Sequence, residues 1–190
     1  MDLRFAIVAL LVAPSMCLDC PVGWASYNGE CFHFSKSTAS WLDAQAACRQ
    51  MGGYLATDDN KEKHDFLTNI ASVIHSFGET VFWLGGDDYL FEGVWRWEET
   101  GGPVVSFTKW APGYPTNSSD TNCLGMVFVD TELLWKDMTC GSSHHGKRQA
   151  TTVRPTKHHK VTHAHRTHPP SPNHYYICEK QAFHSAPVIG

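Results

Sequence analysis

The cysteines constrain this chain more than any other residue type. They stand at Cys17, Cys20, Cys31, Cys48, Cys123, Cys140 and Cys178. The first of them closes the stretch "MDLRFAIVALLVAPSMC", in which Arg4 precedes an apolar run from Phe5 to Ala13. That run is too short for a bilayer core of about 30 Å, which takes roughly 20 apolar residues in a helix. It reads as a secretory signal peptide over residues 1–17, cut after Cys17 because Ser15 and Cys17 are small. Removal of Cys17 leaves an even number of cysteines bound for an oxidising compartment, where disulfides form and persist. Many pairings remain open, and spacing alone does not choose among them. No C-x-x-C pair competes except Cys17 and Cys20, which straddle the cut. The six therefore read as stabilising disulfides in a secreted, extracellular protein.

The stretch "SWLDAQAACRQMGG" reads as a helix. Trp41, Ala44, Cys48 and Met51 recur at helical spacing, Ser40 with Asp43 resembles a capping box, and Gly52 can end it. A second helix follows "TDDN", with Phe66, Leu67 and Ile70 inward and Lys61, Glu62 and Lys63 outward. Periodicity then changes. "VFWLGG" is a short apolar run and "VWRW" alternates aromatics with Arg96, as a half-buried strand does. From Glu98 to Asn122 the chain is rich in Gly, Pro, Ser and Thr, which predicts a long structured loop. "CLGMVFV", "LLWKDM" and "YYICEK" are further strands. Two helices followed by strands predict an α+β domain.

Before the last strand lies a segment of different composition. Residues 141–174 hold six Lys or Arg, eight of the chain's 12 His, four Pro, no acid and no Phe, Trp or Tyr. Apolar burial there falls short of the ordering entropy, so a disordered loop insertion is expected. Taking its six charges from the chain's net −4 leaves −10 on the remainder. Three readings stay open for it. It is a solvated loop, or an arm over residues 144–170 for anionic polymers, or a zinc or copper binder through His158, His159, His163, His165 and His168.

The order of cysteines and tryptophans, with "FWLGG", "VWRWEETGGPVVSFTKWAPGYP", "NC", "LWKDMTC" and "YICEK", resembles the C-type lectin-like domain family. The likeness covers residues 20–180 apart from the insertion. It implies the long form of an α+β fold with two helices, antiparallel sheets and a long structured loop. The domain then occupies residues 18–180, with a tail at 181–190. The pairing it implies is Cys20–Cys31, an N-terminal hairpin staple, with Cys48–Cys178 and Cys123–Cys140.

In sugar-binding members of that family a calcium ion bridges the protein and two neighbouring sugar hydroxyls. Calcium takes six to eight oxygen ligands. The family draws them from a Glu-Pro-Asn or Gln-Pro-Asp tripeptide, a Glu two residues before a cysteine, and a Trp-Asn-Asp. Here the corresponding positions hold Tyr114, Pro115 and Thr116, then Thr121, then Trp135, Lys136 and Asp137. Asn122 and Asp137 remain as ligands, and Asp120 could approach from one position away. Lys136 opposes the ion, since a unit charge about 4 Å from another is worth about 4 kcal/mol at an effective dielectric near 20, doubled for a divalent ion.

The expected ligand site is therefore Tyr114, Pro115, Thr116, Asp120, Asn122, Lys136 and Asp137, with Asn122, Asp137 and Asp120 the candidates for calcium. Tyr114 offers a flat face to sugar C–H groups, whereas Trp110 and Trp135 are expected in the core. Asn117-Ser118-Ser119 is a glycosylation sequon on the same loop. An enzyme is not expected. Glu62, His64 and Asp65 lie together on what reads as an exposed helix face, and no nucleophile motif, phosphate loop or H-E-x-x-H is present. The resemblance implies a secreted lectin that recognises microbial surface glycans in innate defence. The alternative is a calcium-independent module that binds protein or anionic polymers.

Overall fold

The computed structural model describes residues 18–74, 80–141 and 173–184. The signal peptide and nearly all of the basic insertion, with its anion and metal readings, lie outside those residues. In chain order the elements are β1 (Leu18–Asp19), β2 (Ala25–Tyr27), β3 (Glu30–Phe34), α1 (Trp41–Gln50), β4 (Tyr54–Leu55) and α2 (Lys61–Ile74). There follow β5 (Val81–Asp87), β6 (Arg96–Trp97), β7 (Cys123–Val129), β8 (Glu132–Met138), β9 (Tyr175–Gln181) and β10 (Phe183–His184).

The main sheet runs β2-β3-β9-β5-β7-β8, with β4 added to β9 and β6 to β5. Its pairs are antiparallel except β5 with β9, which run parallel. A small second sheet joins β1 to β10, with Leu18 opposite His184. Gln181, the last residue of β9, and Phe183 and His184 of β10 lie within the span 181–190.

Local chemistry accounts for the helix boundaries. Ser40 caps α1 in an extended conformation, accepting from the Asp43 N–H at 3.2 Å and donating its hydroxyl to Asp43 Oδ2 at 2.7 Å. Gly52 ends the helix at φ 74°. Gly53 is required for another reason: a Cβ there would stand 2.4 Å from the Glu179 carbonyl oxygen, so only glycine lets the chain pass this close to β9.

The core has two parts. Phe32, Phe82, Leu84, Leu124, Met126, Leu133, Trp135 and Ile177 form one, with Trp95 and Trp97. Trp41, Cys48, Leu55, Trp83, Cys123 and Cys178 form the other, beneath α1. Three disulfides close this body: Cys20–Cys31, Cys48–Cys178 and Cys123–Cys140.

Helix α2 corrects two expectations. Lys63 is buried rather than outward, and His64 is buried rather than on an exposed face. The Lys63 ammonium lies 3.0 Å from Glu30, 3.1 Å from Glu179 and 3.1 Å from the Thr57 hydroxyl, so partners rather than water hold its charge. His64 Nδ1 lies 2.8 Å from Asp58 Oδ2. Of the three grouped residues, only Glu62 and Asp65 are exposed.

The segment Ala39–Trp41 gathers both ends of the stretch that holds the insertion. Ala39 exchanges backbone hydrogen bonds with His174 at 2.9 Å, and the Trp41 N–H donates to the Cys140 carbonyl at 2.9 Å. Residues 140 and 174 are therefore both bound by one three-residue segment.

Candidate functional site

The long loop is fastened to β8 at its base. The Trp135 N–H donates to the Lys109 carbonyl at 2.7 Å, the Ala111 N–H to the Trp135 carbonyl at 2.9 Å, and the Tyr114 N–H to the Ala111 carbonyl at 3.0 Å. Trp135 is fully buried, and its indole N–H donates to Asp58 Oδ2 at 2.7 Å. Burial pushes the Asp58 pKa up, while His64 and Trp135 pull it down. Trp110 and Trp95 pack edge-on, and Trp110 meets Trp135 in the same way. Trp135 thus belongs to the core, and Trp110 packs against it as a half-buried side chain.

At Tyr114-Pro115 the loop turns through a cis peptide. Beyond it, Asp137 becomes the focus. Its carboxylate is buried. The Thr116 N–H donates to both of its oxygens at 2.9 Å, and the Thr116 hydroxyl donates to Oδ2. Thr121 Oγ1 lies 2.7 Å from the same Oδ2 and 3.0 Å from the Ser118 carbonyl, its single proton serving one of the two. Thr116 and Thr121 therefore clasp Asp137 from both ends of the 116–121 turn. The Asn122 amide nitrogen donates to the Ser119 carbonyl at 2.8 Å, which ties that side chain into the turn as well. Asp120 is exposed. Among the described residues no group of three or more His, Cys, Asp or Glu is placed to hold a metal ion.

Lys136, between Trp135 and Asp137, sends its ammonium over the Tyr114 ring, 5.1 Å from the centroid. The expected residues Tyr114, Thr116, Lys136 and Asp137 are thus brought together, with Pro115 the hinge between them. Asn122 and Asp120 border this group. Asn117 is exposed, at φ 52°, on the same turn.

Next to the loop lies a turn that the sequence reading did not single out. Asp88 is buried and accepts from the Gly93 N–H at 2.9 Å. Burial raises the Asp88 pKa, and the charge of Asp137 adds to it. Burial, then Asp88 and Asp137, raises that of Glu92. Tyr89, Leu90, Phe91 and Val94 on this turn are exposed. A Cβ on Gly93 would stand 3.4 Å from Asn117 Oδ1, so the two turns are neighbours. The doubled acid "DD" before "YLFEG" is the signal in the sequence: one carboxylate pairs with Arg96 and the other ties the turn.

Comparison with known proteins places this geometry in a family. Residues 37–145 match the model of the lectin C-type domain. A perlucin-like protein of Mytilus galloprovincialis is 32% identical over 144 residues, covering 75% of this chain and 89% of that protein. Among solved structures, a mouse scavenger receptor C-type lectin carbohydrate-recognition domain superposes with a TM-score of 0.63 at 20% identity, covering 88% of this chain and 100% of the other. A calcium-independent type II antifreeze protein has the same TM-score at 23% identity, covering 88% and 98%. Relatives of this kind are binding proteins rather than enzymes. The chain belongs to the C-type lectin domain family.

Proposed function

We propose that this chain is a secreted carbohydrate-recognition protein whose ligand loop is set without calcium. The observation that carries this reading is the clasp on Asp137. The Thr116 N–H reaches both oxygens of this carboxylate, and the hydroxyls of Thr116 and Thr121 crowd Oδ2. Calcium at about 2.3–2.6 Å from Oδ2 would have to displace these donors. Asn122 turns its amide to Ser119 and so serves the turn before it serves an ion. Hydrogen bonds thus perform the loop-ordering task, and Asp120, Asn122 and Asp137 are not used as metal ligands.

The ligand face in this reading is Tyr114, Pro115, Thr116 and Lys136, with glycans of microbial surfaces as the ligand class and innate defence as the setting. The family supports glycan binding, and the half-buried Tyr114 ring supplies an apolar surface for a sugar. A glycan array read with calcium and again with a chelator tests this reading. Equal binding in both supports it. Binding that vanishes with the chelator returns Asp137 to the role of a metal ligand.

Secretion is part of the same proposal, and Asn117 provides its test. The side chain is exposed in an Asn-Ser-Ser sequon, open to a glycosyl transferase of the secretory route. The chain recovered from the medium of eukaryotic cells should lose mass on treatment with an N-glycosidase, and Asn117→Gln should abolish the change. An unmodified Asn117 in the cell extract, with no protein in the medium, would count against both.

A further inference from the structure

Most described cations of this chain are already spent. Arg49 pairs with Glu98, Lys61 with Asp65, Lys63 with Glu30 and Glu179, Arg96 with Asp87, and Lys109 with Glu132. Lys180 donates to the Met51 carbonyl at 3.0 Å. Lys36 is exposed and makes no ion pair among the described residues, whereas Lys136 is half-buried. The Lys136 side chain makes neither an ion pair nor a hydrogen bond among the described residues, and its only partner there is the face of Tyr114. An aromatic face attracts an ammonium but accepts no strong hydrogen bond, so the three N–H donors remain available.

Both partners are held in place. Trp135 and Asp137, on either side of Lys136, are pinned to Asp58 and Thr116, and alternation along β8 turns the Lys136 side chain away from theirs. The Tyr114 backbone is held by its N–H bond to the Ala111 carbonyl. The neighbouring carboxylate does not capture the ammonium, because Thr116 and Thr121 hold it.

We propose that Lys136 and Tyr114 form a receptor for a sugar bearing a single anionic group, a carboxylate or a sulfate. This rests on the calcium-free reading of the same loop. The ammonium takes the anion through charge-assisted hydrogen bonds, and the free edge of Tyr114 packs on the ring that carries it. One charge is selected over many because a single ammonium, that of Lys136, supplies the positive charge of the pair. The ligand is accordingly an acidic sugar within a mostly neutral glycan, not a dense polyanion.

The test uses the full chain in the presence of a chelator. Its probes are matched oligosaccharides, each core in neutral, monosulfated and monocarboxylated form. The charged forms should bind at least about tenfold more tightly than the neutral core, the scale of a hydrogen bond to a charged group. Lys136→Gln should abolish that preference, and Lys136→Arg should restore most of it. The basic segment 142–172 is intact in every variant, so the difference between them reports Lys136 alone. Preference for sulfate, carboxylate or both identifies the source of the charge. Equal binding of neutral and charged forms, or an unchanged preference in Lys136→Gln, overturns the proposal while leaving calcium-free recognition in place. Absence of any binding until calcium is restored overturns that underlying reading instead.

Discussion

Lys61 and Lys63 sit on the same helix and experience different media. Lys61 pairs with Asp65 in open solvent, where salt and side-chain entropy cancel most of the attraction. Lys63 is buried among Glu179, Glu30 and Thr57, and the Tyr54 hydroxyl donates to the same Glu179 oxygen at 3.0 Å. Burial pulls the Lys63 pKa down, but Glu179, Glu30 and Asp59 outweigh it and leave the group raised and charged. Removing one partner of such a pair strands the other. Lys63→Met should therefore cost about 3–5 kcal/mol, because Glu179 would be left buried without its counterion. Lys61→Met should leave the urea midpoint nearly unchanged. If the two substitutions prove equal in denaturant titrations, the cluster around Glu179 carries no special weight.

At the scale of elements, the long loop depends on a few bonds to β8. Thr116→Val keeps the shape and removes one hydroxyl donor, which should cost about 1 kcal/mol. Asp137→Ala removes the acceptor for every donor of the clasp and should cost more, about 2–3 kcal/mol. Amide exchange at Thr116 and Thr121 should quicken in both variants while that of β3 stays slow. Uniform quickening would show that the loop has no separate stability. The elements legible in the sequence were those with local signals: Ser40 with Asp43 announced α1, and apolar runs announced β5, β7 and β9. Short mixed stretches such as Ala25–Tyr27 and Tyr54–Leu55 have no such period and become strands only through their neighbours. Polarity alone places Lys63 and His64 outside, yet Glu179 and Asp58, which hold them inside, arrive from elsewhere in the fold. Thr116 and Thr121 were legible as departures from a ligand motif. Their role as donors needed the path of the loop back to Asp137.

For the molecule as a whole, the distant pairings matter most. Cys48 and Cys178 are separated by 130 residues, and closing a loop of that size is worth about 4–5 kcal/mol through the unfolded chain. The parallel contact of β5 with β9 is equally non-local, and no hairpin signal could have foretold it. The pairing of β1 with β10 has a different kind of consequence. It sets Leu18 beside His184, so the body's first and last strands lie side by side. Residues 140 and 174 both bond the Ala39–Trp41 segment. In effect the described chain is a ring with two gaps, and the order in which it is read around that ring is arbitrary. A gene recast to begin at Asn173, run through a short bridge from His184 to Leu18, and stop at Gly141 would encode every strand pairing and all three disulfides described above.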